Sequence, residues 1–121
     1  MLDFGAQFIA HRTGDFLLQN GFLALNKRKF KSVAVAHAII YSSPFAFLLL
    51  FYDHRSEAAK LASWLIIVVT HYFIDAYNMG CLWSRLYNLD FKTEPPSTPF
   101  WVIVEIDQSL HYLINYLAFL L

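Results

Sequence analysis

Cysteine is nearly absent. Cys81 is the sole one in 121 residues, which excludes an intrachain disulfide, argues against a thiolate-held iron–sulfur cluster and leaves the redox compartment open. Charge is scarce as well, at 15% of residues against roughly 25% in ordinary soluble domains. Nine basic and nine acidic side chains cancel, so the overall balance gives no case for a nucleic-acid partner. The N-terminus lacks a basic stretch, and its apolar segment carries Arg12 and Asp15, so no cleavable signal peptide is expected. What remains is apolar: 58% of the chain, with twelve Phe, seven Tyr and three Trp, a composition suited to lipid contact and interfacial anchoring. The length fits one small domain, 1–121.

Four apolar segments follow in order. The first runs from about Leu2 to Asn26, the second from Ser32 to Tyr52, the third from Glu57 to Asn78 and the fourth from Phe100 to Leu121. The first is weakly apolar, and the alternative for it is a helix lying in the membrane interface. Pro44, in the middle of the second, predicts a kink or break, because it cannot donate to the carbonyl four residues back. Met79-Gly80 supplies a stop signal after the third. Between the third and fourth, Trp83, Tyr87 and Phe91 are spaced by four, as in a short amphipathic helix at the interface. The expected fold is all-α: an integral membrane antiparallel bundle of four transmembrane helices with a short interfacial helix between the third and fourth. Lys27-Arg28-Lys29-Phe30-Lys31, with Arg85 and Lys92, makes the first and third loops the more basic, hence cytoplasmic by the positive-inside rule.

Polar residues break the apolar pattern at a fixed spacing. His11/Asp15, His71/Asp75 and, reversed, Asp107/His111 each pair a His with an Asp four residues apart, on one helix face. His37 adds a fourth imidazole. Gln19 and Asn26 share the face of His11 and Asp15, Asn78 that of His71 and Asp75, and Gln108 and Asn115 that of Asp107 and His111. At about 1.5 Å per residue from the side of the first and third loops, most of these groups gather between roughly 5 and 18 Å, with His11 deepest at roughly 22 Å. Ionisable groups in hydrocarbon are expensive, so a shared level calls for a shared role.

His with Asp suits a divalent metal: zinc, manganese or iron. His11, His37, His71, His111, Asp15, Asp75 and Asp107 exceed the three or four ligands of one zinc, which fits two ions or one ion with carboxylates orienting its imidazoles. A metal-activated water would be the nucleophile. Asp15, Asp75 or Asp107 would serve as general base where not a ligand, and Gln19 and Gln108 would orient the water or a substrate oxygen. Lys27, expected at the membrane surface, would hold an anionic head group. Two other uses of the same residues are a proton or ion path and interhelical hydrogen bonding that only holds the bundle together.

The ordered set His11-Arg-Thr-Gly-Asp15-Phe-Leu-Leu-Gln19, Asn26-Lys27, His37, His71-Tyr-Phe-Ile-Asp75 and Asp107-Gln108-Ser-Leu-His111 resembles small membrane proteins of bacteria and their phages grouped as domain-of-unknown-function family 3307. The resemblance covers nearly the whole chain and implies a multi-span protein of a bacterial inner membrane, or of the host membrane of a phage. A looser resemblance, to membrane-bound proteins predicted to be metal-dependent hydrolases, implies no substrate. At Asn78 the family's expected residue is a lysine, so a charged substrate contact there is not implied for this chain. The expectation is a membrane metalloenzyme, a hydrolase acting on a lipid or other membrane-associated substrate. The alternatives are a proton or ion channel or small transporter, and a non-catalytic phage or host membrane protein that binds a partner. Four short helices enclose little volume, which leaves room for a homo-oligomer.

Overall fold

Helices account for most of the described residues in a computed structural model that describes residues 3–92 and 94–121. Among the described residues there are six α-helices and no strand: α1 Phe4–Arg12, α2 Gly21–Asn26, α3 Lys31–Tyr52, α4 Glu57–Ala76, α5 Met79–Asn88 and α6 Phe100–Ala118. The caps are local and legible. Asp3 accepts from the Ala6 amide, Asn20 from that of Leu23 and Ser56 from that of Ala59, each satisfying an amide that the helix cannot.

The second, third and fourth expected segments appear as α3, α4 and α6 with ends shifted by at most three residues. The first does not appear as one helix. Leu2 lies outside the described residues, α1 is nine residues long, and a π-helical turn, Thr13–Leu17, follows it before α2. The fourteen residues of α1 and the π turn together reach about 21 Å, short of the roughly 30 Å hydrocarbon layer. Among the described residues two helices, α3 and α4, are long and apolar enough to cross a membrane. Their outer faces present Val35, Ile39, Phe47, Leu50 and Phe51, and Leu65, Val69 and Phe73, all exposed.

Pro44 does not break α3, which is helical on both sides of it. The carbonyl left without an amide is that of Ile40, and the Ser43 hydroxyl donates to it at 2.7 Å. The residue beside the proline thus replaces the missing donor. Nor does Met79-Gly80 act as a stop. Helix α4 ends at Ala76, Asn78 turns the chain in the left-handed region at φ 50°, a conformation asparagine tolerates, and Met79 and Gly80 open α5. Trp83 and Tyr87 project from α5 into the open, and Phe91 lies beyond its end, so the expected short helix with exposed aromatics is present.

α4 packs against both α3 and α6, with α1 and the π turn against α3 and α5 against α6. Two glycines permit the closest approaches. A Cβ on Gly14 would lie 2.3 Å from the Tyr41 carbonyl oxygen of α3, and one on Gly80 would lie 2.8 Å from the Asp107 Cβ of α6. At the far end from the basic loop the bundle is filled by Tyr41, Phe45, Leu49, Ile67 and Phe119. There the α3–α4 loop is tied to the end of α6. The Arg55 guanidinium pairs with Asp53 at 2.7 Å and donates to the Ser63 hydroxyl and the Phe119 carbonyl, while Ser63 donates to the Ala118 carbonyl.

Candidate metal centre

Each element delivers its polar residues by simple periodicity. His71 and Asp75 lie one turn apart on α4, as do Asp107 and His111 on α6, with Gln108 and Asn115 beside them; all six are buried, while Glu105 is exposed. His37 and Tyr41 lie one turn apart on α3 and are fully buried. The π turn holds Asp15 where α1 meets α3. Extra-residue turns of this kind re-aim side chains and recur at functional sites.

The side chains meet as two donor groups that share one residue. Asp15, His37, His71 and Asp75 form the first, and Asp75, Asp107 and His111 the second; within each group one ligating atom per residue lies within 4.8 Å of the others. In the first group the spacings are those of direct polar contact: His37 Nε2 is 3.2 Å from Asp15 Oδ1 and 3.1 Å from Asp75 Oδ2, and His71 Nε2 is 3.2 Å from Asp75 Oδ2. In the second they are wider. His111 Nε2 is 3.6 Å from Asp75 Oδ1 and 3.6 Å from Asp107 Oδ2, beyond hydrogen-bond reach.

Some of the ligating atoms are left without a partner. His111 Nε2, Asp75 Oδ1 and Asp107 Oδ1 are buried and make no hydrogen bond with the described residues, whereas Asp75 Oδ2 lies against the Lys27 ammonium at 2.7 Å and His71 Nε2 at 3.2 Å. Buried polar atoms are normally satisfied. A cluster of converging lone pairs left open in this way has the chemistry of a cation site, and carboxylate with imidazole is a donor set that zinc, manganese or iron accepts.

Lys27 lies inside this cluster. Its Nζ is 2.7 Å from Asp75 Oδ2, 3.2 Å from His37 Nε2 and 3.5 Å from Asp15 Oδ1, and its side chain is 12% exposed. It follows α2 directly and closes the site on the basic-loop side.

His11 lies outside both donor groups, with both ring nitrogens engaged. Nε2 donates to Gln108 Oε1 at 2.7 Å, and Nδ1 accepts from the Tyr41 hydroxyl at 2.9 Å. That hydroxyl in turn accepts from Asn115 Nδ2 at 2.7 Å. Gln108 Nε2 donates to Asp15 Oδ2 at 3.2 Å, so both ends of its amide are committed to orienting His11 and Asp15. Gln19 donates to the backbone carbonyl of Asp15 at 2.9 Å and so braces the π turn.

Of the residues singled out in the sequence, Asp15, His37, His71, Asp75, Asp107 and His111 supply the donor groups. His11 and Gln108 form a supporting chain, Gln19 supports the backbone and Lys27 enters the cluster. Tyr41 was not singled out. Its ring stacks on His71 with centroids 3.5 Å apart and planes 9° from parallel, besides linking His11 to Asn115. The signal for it was there: it lies one turn after His37 on the same face of α3.

No curated protein and no solved structure matches the chain. A family model does match it, over residues 4–120. That span takes in α1 through α6 and every residue of the cluster, and the chain belongs to the family described as "Protein of unknown function (DUF3307)".

Proposed function

We propose that this chain is an integral membrane metalloenzyme that hydrolyses a lipid or another membrane-associated substrate. The observation that carries the metal is the set of buried donor atoms from Asp75, Asp107 and His111 that find no hydrogen-bond partner among the described residues. The membrane is supported by α3 and α4, since only 39% and 22% of their most apolar stretches are buried in the bundle. The rest of those faces is apolar surface needing an apolar solvent. The basic run Lys27 to Lys31 at the site end favours that end, with the first and third loops, on the cytoplasmic side.

A divalent ion held there would acidify a water and polarise a carbonyl or phosphoryl oxygen. The residues of the chain do the rest. Asp15 lies outside the second donor group, oriented by Gln108 and beside His37 and the Lys27 ammonium, so it is a carboxylate that the ion would leave free. The apolar filling beyond Tyr41 keeps water from the far side. That filling also favours a closed site over a transport path, since the chain of polar contacts ends at Asn115.

The test is elemental analysis of purified protein, with Asp75→Asn as the variant because Asp75 belongs to both donor groups. Wild type should carry stoichiometric zinc, manganese or iron, and the variant little. A metal-free wild type, or a variant that retains as much, would sink the reading.

A further inference from the structure

The two donor groups are not equivalent, and Lys27 is what distinguishes them. Its ammonium lies against Asp15 Oδ1, His37 Nε2 and Asp75 Oδ2, three of the four residues of the first group. A cation already occupies that position, and it is covalently attached to the chain. The second group has no such occupant. Asp75 Oδ1, Asp107 Oδ1 and His111 Nε2 are buried and unpartnered among the described residues, and all three residues are more than nine-tenths buried.

Distance points the same way. Two ligands on bonds of about 2.1 Å at the tetrahedral angle lie about 3.4 Å apart. The 3.6 Å spacings from His111 Nε2 to Asp75 Oδ1 and Asp107 Oδ2 are compatible with that figure and too long for a hydrogen bond, whereas the 3.1 and 3.2 Å spacings around His37 are already those of hydrogen-bonded contact. Charge agrees as well. Asp15, Asp75 and Asp107 sum to −3, Lys27 contributes +1, and one divalent ion brings the buried site to neutrality; two ions would leave it positive. Buried charge is tolerated only when balanced.

The imidazoles impose a further limit. His71 Nδ1 and His111 Nδ1 are hydrogen-bonded at 3.2 Å, so with both rings neutral one of them carries its proton on Nδ1 and the other on Nε2. A single Nε2 lone pair is then left for a metal. His71 Nε2 lies 3.2 Å from Asp75 Oδ2, a suitable distance for donation, which leaves the lone pair to His111.

We infer that the chain binds one divalent ion, on Asp75, Asp107 and His111, and that the Lys27 ammonium fills the Asp15/His37/Asp75 position that a second ion would otherwise take. The inference rests on the metal reading above and refines it. Lys27 is then part of the centre as a fixed cation, beside the ion, where the anionic part of a substrate or transition state would be held.

Purified protein in detergent is loaded with zinc, freed of excess by desalting and assayed for zinc per chain. About one ion per chain is expected for wild type, about two for Lys27→Met, about one for His37→Gln and a loss of most of it for Asp107→Asn or His111→Gln. The double variant Lys27→Met/His37→Gln should return to about one. Two ions in wild type, no gain in Lys27→Met, or an ion that survives Asp107→Asn but is lost in His37→Gln would each overturn the assignment while leaving a metal protein. No zinc in wild type or in Lys27→Met would instead defeat the metal reading itself. Should a variant not fold, X-ray absorption on zinc-loaded wild type decides the matter: one bound imidazole is expected, and two or more would refute it.

Discussion

Replacing Gly14 with alanine tests whether the first segment is pressed against α3 closely enough to set the geometry of Asp15. The added Cβ would lie 2.3 Å from the Tyr41 carbonyl oxygen and 3.0 Å from both the Tyr41 carbonyl carbon and Cα. Ordinary contact begins near 3.4 Å, so the π turn must retreat by 3.4 − 2.3, or about 1.1 Å. All three obstructing atoms are backbone, so no rotamer change relieves the clash. Overpacking of this kind costs about 1–3 kcal/mol. For a chain of this length that corresponds to a melting temperature lower by about 3–15 °C. The same retreat carries Asp15 away from His37 and Lys27, whose contacts with it are 3.2 and 3.5 Å. Gly21→Ala is the internal control, because a Cβ there meets nothing within 4 Å. It should be neutral or slightly stabilising, since alanine is the better helix former by up to about 1 kcal/mol. Thermal unfolding of both variants in one detergent gives the comparison. Equal melting temperatures for Gly14→Ala and wild type would show that the π turn and α3 do not approach as described.

Tyr41→Phe removes the hydroxyl between His11 and Asn115 but keeps the ring stacked on His71. Two buried groups lose a partner, which is expected to cost about 1–3 kcal/mol, toward the lower figure if the bundle lies in lipid. Denaturant or thermal unfolding measures it, and a variant as stable as wild type would remove Tyr41 from the supporting chain. At the opposite end, the Arg55 hydrogen bond beside Asp53, followed by its charge, holds that carboxyl below the usual carboxylate range, against the opposing effect of burial. A depressed folded value stabilises above the unfolded value of about 3.9, and the contribution is lost as pH falls through the folded value. Melting temperature should therefore fall on acidification below about pH 4, less steeply in Asp53→Asn. Identical slopes in the two proteins would refute the assignment.

Much of the site could be read from spacing. His and Asp four residues apart share a helix face whatever the tertiary structure, so the inward faces of α4 and α6 follow from His71/Asp75 and Asp107/His111 directly. The Gln108 and Asn115 positions, and the outward position of Glu105, come from the same periodicity. Other features depend on contacts that spacing does not encode. The segment that reads as one helix passes from α1 into the π turn Thr13–Leu17 and is interrupted at 18–20, where Asn20 caps α2. The proline in α3 reads as a breaker, yet the hydroxyl of Ser43 satisfies the carbonyl it orphans. His11 and His37 read as equal candidates, but only the tertiary structure tells one from the other. The first finds Tyr41 and Gln108, and the second finds two carboxylates and an ammonium.

By itself, the sequence determined an all-helical chain, the bounds of α3, α4 and α6, the apolar faces of the long helices and the set of His and Asp side chains brought to one level. Those properties are local: periodicity, propensity and apolar composition act within a segment. Which way Lys27 points is not local. As one of four basic residues in a loop it reads as a surface charge, and its ammonium turns inward because three helices bring Asp15, His37 and Asp75 to a single point. The tertiary structure alone decided that, since the attraction of a buried carboxylate pair exists only once the segments that carry them have packed.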